Sequence, residues 1–250
     1  MLNKEIVFHI GPSVFQGDIT SGLYFSDKKV NQIKFENSNL NIGSGIIYHV
    51  SPGFSFKTNV NILQLYGDDA WGKNAARMLK FKTYLIDFSA MLEYSYSYQF
   101  IKKNYLTIST GFSVINFYPM GEYNGKWYNL RKASTEGQGL KNGTDRYRAF
   151  SVSLPVNFGY FFEINNRDKL GIELCFRKAF TDYIDDVSGR YYNNTEIKNQ
   201  KGEWAANLAD PKPQKTPAGV LRGNPSKDDN YTIINFSYRR LLGVKYVTRY

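Results

Sequence analysis

The stretch RKAFTDYIDDVSGRYY, residues 177–192, sets three carboxylates, Asp182, Asp185 and Asp186, among three tyrosines. Side-chain oxygens crowded in this way suit a hard cation such as calcium, or an acid/base pair. The Asp-x-Asp-x-Asp-Gly order of an EF-hand is absent, and the apolar alternation of KLGIELCF just upstream offers a simpler origin, a strand leaving its buried environment. The two histidines, His9 and His49, have no serine in a nucleophile elbow nearby. Cys175 is alone, so no internal disulfide forms, and no Cys-x-x-Cys or paired-His spacing suits zinc. No enzyme chemistry and no cofactor are expected.

The elements that must carry these residues read as strands. Period-two alternation recurs near 5–15, 40–50, 53–66, 82–99, 105–118, 147–161, 169–181 and 231–240. In the fourth segment Tyr84, Ile86, Phe88, Ala90 and Leu92 share one face, while Asp87, Ser89, Met91 and Glu93 share the other. The second faces are small and polar, not the Lys- and Glu-rich surface of a soluble barrel. Links after the second, fourth and sixth segments are tight, whereas those at 18–39, 67–80, 119–146 and 184–230 are long. That asymmetry predicts an all-β fold, a transmembrane up-and-down antiparallel barrel of about eight strands forming one domain over 1–250. Tyr94, Tyr96, Tyr98 and Phe100 would form one aromatic girdle, and Phe117, Tyr118, Tyr183, Tyr191 and Tyr231 the other. A barrel of this size is filled by side chains, here with Lys57, Asp87, Glu93, Glu173 and Arg177 in a charge-paired lumen, which excludes a general porin.

Composition agrees. The 250 residues include 20 Tyr, 18 Phe and 21 Gly, residues of strands and tight bends rather than of helices. Mean hydropathy of -0.45 argues against helical membrane spans. A net charge of +10 suits an anionic partner, but the basic residues are scattered and no RNP-like motif occurs, so nucleic acid is not expected. Phosphates of lipopolysaccharide are the better match. MLNKEIVF carries no apolar signal core, so the sequence reads as cytosolic or already processed.

The ordered blocks GPSVFQGDI, ARMLKFKT, GKWYNL, TEGQGL, FRKAFTDYIDDVSGRYY, LADP and RGNPSKDDNYTIINFSYR resemble the PorG-like family of small outer-membrane barrels in Bacteroidota, in order over nearly the whole chain. Phe15-Gln16 stands where that family usually has Asn-Tyr before the first Gly-Asp. The resemblance implies an outer-membrane component of the type IX secretion and gliding machinery, with a signal peptide removed, that ties a periplasmic ring lipoprotein and its partner to the membrane. On this reading the short turns make the periplasmic contacts, with Lys102, Lys103, Asn104, Asn165, Asn166, Arg167, Asp168 and the segment 240–250 as candidates. Trp127, Glu136, Asp182, Asp185, Asp186 and Arg222 mark the outer loops in this resemblance, and Trp127, Glu136 and Asp185 among them are expected to meet a translocon neighbour or lipopolysaccharide. The rival expectation is a stand-alone surface barrel acting as an adhesin or stability factor.

Overall fold

A computed structural model describes residues 4–19, 39–97 and 104–242. Eight strands close a ring: β1 (Lys4–Gln16), β2 (Asn39–Ser51), β3 (Phe54–Asp68), β4 (Lys80–Ser97), β5 (Asn104–Tyr123), β7 (Phe150–Glu163), β8 (Asp168–Ala179) and β9 (Asn230–Leu242). Each pairs antiparallel with its chain neighbour, and β9 pairs back onto β1 from Lys4↔Leu242 to Gln16↔Asn230. Closure leaves no sheet edge in the wall, so backbone N–H and C=O groups are satisfied where water is absent. A ninth, short strand, β6 (Lys126–Asn129), stands outside the ring as a hairpin partner of the end of β5.

Through the middle of every wall strand the odd-numbered residues point inward and the even-numbered ones outward, as the pleat requires. The outward set is apolar and open, with Ile62 60%, Leu92 66% and Phe112 79% exposed. A contiguous apolar belt around a closed barrel is a lipid-facing surface, and the chain is a β-barrel of the outer membrane. The described short turns at 52–53 and 164–167 and the strand ends Lys4 and Leu242 lie on one rim, and the described long connections at 69–79, 124–149 and 180–229 on the other. By the usual orientation the first rim is periplasmic and the second extracellular.

The strands depart from the sequence expectation at their ends. β5 runs on to Tyr123 because Pro119, which pairs with Thr83, extends the outer wall beyond the membrane instead of breaking it. The girdle expected from Phe117, Tyr118, Tyr183, Tyr191 and Tyr231 is also corrected. Phe117 and Tyr231 have inward parity and are fully buried, while Tyr183 and Tyr191 belong to the loops above the barrel. Tyr118 faces outward as expected, and Tyr84 and Phe150 are outward rings beside it on that rim. On the other rim Tyr94 and Tyr96 face out as expected, while Tyr98 and Phe100 lie outside the described residues. Strong curvature requires glycine where a side chain would strike the next strand: a Cβ on Gly11 would stand 1.8 Å from the Ile234 carbonyl oxygen.

The region expected to be one long loop after β8 contains two helices, α2 (Asn194–Lys201) and α3 (Glu203–Ala209); α1 is a single turn at Leu130–Ala133. Asn193 caps α2 by accepting from the Thr195 and Glu196 backbone N–H groups, and Gly202, at φ 98°, ends it. The two helices bury Ile197, Ala205, Ala206 and Ala209 in a core shared with Leu130, Ala133, Leu65, Phe81 and Phe117. The upper barrel is therefore continuous with the folded loops.

Candidate functional site

The lumen has two storeys. Toward the extracellular end it is apolar, built from Phe15, Leu63, Leu65, Phe81, Leu85, Ile115 and Phe117. Below lies a network of charges. Arg239 reaches both Glu93 oxygens, at 2.6 and 2.9 Å, and Glu173 at 3.2 Å, with its guanidinium 3.7 Å from the centre of the Phe161 ring. Lys57 bonds the same Glu173 and stands 3.3 Å from Glu93. One level up, Arg177 donates to Asp87 at 2.8 Å and to Asn157 at 2.7 Å, and the Tyr231 hydroxyl donates to Asp87 at 2.8 Å. Near the periplasmic mouth Glu5 lies 2.6 Å from Lys169 and 3.1 Å from His49. Glu5, Asp87, Glu93 and Glu173 are thus matched by Lys57, Lys169, Arg177 and Arg239. A buried charge persists only when paired in this way.

All five lumen residues read from the sequence lie in this network, but in two groups, with Lys57, Glu93 and Glu173 in one and Asp87 and Arg177 in the other. Arg239, which holds the first group together, was missed. Inward parity along Tyr231, Ile233, Asn235, Ser237 and Arg239 was the signal that could have found it. The network also brings a serine to a histidine: His9 Nδ1 is 2.8 Å from Ser237 Oγ, which donates to Glu173 at 2.8 Å. The trio is arranged for mutual satisfaction. Ser237 gives its proton to the carboxylate and all three side chains are buried in the filled lumen, whereas nucleophilic catalysis needs the histidine as base and room for substrate.

Above the barrel, the loops are cross-linked into a cap. Glu136 accepts from the Ser188 and Gly189 backbone N–H groups at 3.0 and 3.1 Å and pairs with Arg222 at 3.1 Å. Arg222 also donates to the Asp186 carbonyl at 2.5 Å and the Ala209 carbonyl at 3.3 Å. The Asp186 carboxylate takes the Thr135 hydroxyl and, at 2.6 Å, that of Tyr147. Asp186 itself sits at φ 65°, the left-handed region that aspartate tolerates better than most residues. Asp185 accepts from the Ile19 N–H at 3.1 Å, and Arg77 ties Asp69 to the carbonyls of Asp18 and Arg222. Segments from all four outer connections meet here.

This corrects the expectation that Glu136 and Asp185 contact an outside partner. Asp185, Asp186, Glu136 and Arg222 are buried struts: Asp185 and Glu136 accept from backbone N–H groups of another loop, and Asp186 and Arg222 bond side chains of another loop. Asp182 is buried beside them, so the reading of TDYIDDVSG as a solvated strand exit holds only for the place where β8 ends. Trp127 does not join the cap. It stands on the outer wall, where Glu122 is its β-pair partner and the Lys82 Nζ lies 4.1 Å from its ring centre.

A family model described as a domain of unknown function, DUF2715, matches residues 4–199. The chain belongs to DUF2715. No curated protein matches it. Among solved structures, similar ones are Neisserial surface protein A (10% identity, 96% of this chain and 95% of that one, TM-score 0.43) and Ail of Yersinia pestis with the heparin analogue sucrose octasulfate (7%, 96% and 99%, 0.41). A third is the outer membrane protein OprG from Pseudomonas aeruginosa (10%, 96% of each chain, 0.46). The barrel of this DUF2715 chain rests on its own closed strand register.

The periplasmic turns of the DUF2715 barrel divide into scaffold and free surface. Asn165 accepts from the N–H groups of Arg167 and Asp168 at 2.8 and 2.9 Å and donates to the Asp168 carboxylate at 2.8 Å, an Asx turn closing β7 onto β8. Asp168 also takes the Tyr238 hydroxyl at 2.6 Å, and Asn104 donates to the Tyr160 hydroxyl at 2.7 Å. Asn166 and Arg167 are exposed. Lys102, Lys103 and 243–250 lie outside the described residues.

Burial pushes the Asp182 carboxyl up to about 8, helped by Asp18, Glu136 and Asp228, and Asp186 up to about 6 against the pull of Arg222. Burial likewise raises Asp185 and Asp229 well above the carboxylate range. For groups raised on folding, the stability they contribute is complete below the unfolded value of 3.8 and is lost as pH climbs through the folded value, for Asp182 through about 8. Amide exchange in 180–190, corrected for its intrinsic pH dependence, is therefore expected to speed up by at least about tenfold from pH 5.5 to 8.5, one pKa unit being about 1.4 kcal/mol. Asp182→Asn should flatten that profile. Equal protection at both pH values would contradict the assignment.

Proposed function

We propose that this barrel is a non-enzymatic outer-membrane component of the type IX secretion and gliding machinery, one that anchors a periplasmic ring lipoprotein and its partner. The observation that carries the scaffold role is the solid interior: paired charges below, an apolar storey above and a cap of cross-linked loops leave outer surfaces rather than a conduit for function. The specific machinery rests on the ordered sequence blocks that resemble the PorG-like family. Asn166 and Arg167, exposed on the periplasmic rim, are the described residues best placed for ring contact, while Asn104, Asn165 and Asp168 hold the rim in shape.

Gentle detergent extraction of the tagged protein from its own cells, followed by mass spectrometry, tests this. Enrichment of a periplasmic lipoprotein and its partner is expected, with a photo-cross-linker at Asn166 or Arg167 capturing one of them. A barrel that emerges alone, under conditions preserving other envelope complexes, sinks the proposal. It would instead favour a stand-alone surface barrel, a reading supported by the ordered cap with its α2–α3 pair on the extracellular side.

A further inference from the structure

The outer wall of β4, β5 and β7 carries cations where a lipid headgroup must lie. Tyr84 pairs with Tyr118, and the pairing of Asn116 with Phe150, continued one step by the Phe117 N–H to Ala149 carbonyl bond of 2.9 Å, sets Arg148 beside Tyr118. Tyr84, Tyr118 and Phe150 form a band of outward rings across three adjacent strands. Below the band the wall is bare and apolar, with Ile86, Val114 and Val152 about half exposed. At its upper edge, Lys82 stands 4.1 Å from the Trp127 ring centre and 5.6 Å from that of Tyr84, and Arg148 lies 5.8 Å from that of Phe150.

Rings orient these two cations without neutralising them. Among the described residues no carboxylate pairs with either, whereas the nearby Lys80 is taken by Glu122 at 2.7 Å. Aromatic rings mark the boundary between acyl chains and headgroups, so cations at their outer edge sit at the depth of lipid phosphate. Lys82 and Arg148 flank β5, two strand spacings apart and offset by two residues along the strands, roughly 12 Å between backbones, a span two long side chains close around one phosphate.

We propose that this surface binds a phosphorylated glycolipid of the outer leaflet, with the phosphate between Lys82 and Arg148 and the acyl chains along Ile86, Val114 and Val152. The site is independent of any periplasmic partner and stands whether or not the secretion reading holds.

The test is native mass spectrometry of the folded, full chain released from detergent, titrated with bis-phosphorylated lipid A, with the same lipid lacking its phosphates, and with inorganic phosphate. Retention of the phosphorylated lipid is expected to exceed that of the dephosphorylated lipid by roughly tenfold or more, consistent with two cations acting near a charged headgroup. The double variant Lys82→Gln/Arg148→Gln should remove that preference while keeping heat-modifiable migration on gels, and Lys82→Arg should retain it. Equal retention of the two lipids overturns the proposal without need of any variant, as does an unchanged preference in the double variant. Displacement of the lipid by millimolar inorganic phosphate would also overturn it, by showing a site for the free anion.

Discussion

Arg239→Met is expected to be the most damaging single change in the barrel. It removes the fork that spans Glu93 and Glu173 and leaves Lys57, among the described residues, as their only close cation. Both carboxylates are buried, and breaking a buried pair from one side costs about 3–5 kcal/mol. Urea unfolding of the protein in lipid vesicles, followed by heat-modifiable gel migration, should show a loss of that size. The double variant Arg239→Met/Glu93→Leu should recover much of it, because removing both partners removes the stranded charge as well as the bond. A loss below about 1 kcal/mol in the single variant would mean that the lumen is wetter than this packing requires.

Arg222→Met should open the extracellular cap and leave the barrel intact. Arg222 is buried and bonds groups from three places, the Glu136 carboxylate and the Asp186 and Ala209 carbonyls. Its loss strands Glu136 beside Asp186, both of which it now neutralises. A local cost of about 3 kcal/mol corresponds to roughly a hundredfold rise in the open population. Limited proteolysis is expected to cut within 130–149 and 180–229 at least tenfold faster, while the strands remain protected and heat-modifiable. Arg222→Lys, which keeps the charge but not the fork, should fall between the two. Cleavage unchanged in the methionine variant would show that the apolar contacts of Ile197, Ala206 and Leu130 hold the cap without it.

The wall was legible because a membrane barrel writes its two environments into alternate residues. Lys57, Asp87, Glu93, Glu173 and Arg177 were placed inside by parity alone, and the same parity would have placed Arg239. Phe117 and Tyr231 resemble girdle residues by aromatic identity, but their odd positions put them in the lumen. The helices after β8 left a fainter trace, an Asn193 cap, Glu196 in the first turn and Gly202 at the end. They are only 8 and 7 residues long, too short for an apolar period to stand out.

By itself the sequence determined the strand count of the barrel, its lumen-facing polar set and the alternation of short and long connections, because each is a local pattern repeated along the chain. Only the tertiary structure decided which charges pair, that Asp185, Asp186, Glu136 and Arg222 are internal struts rather than contact residues, and that Trp127 faces outward beside Lys82. Those outcomes join residues as much as 166 positions apart, as Ile19 and Asp185 are. Which carboxylate meets which cation depends on how the closed ring and its folded loops bring distant segments together, and no local period carries that information.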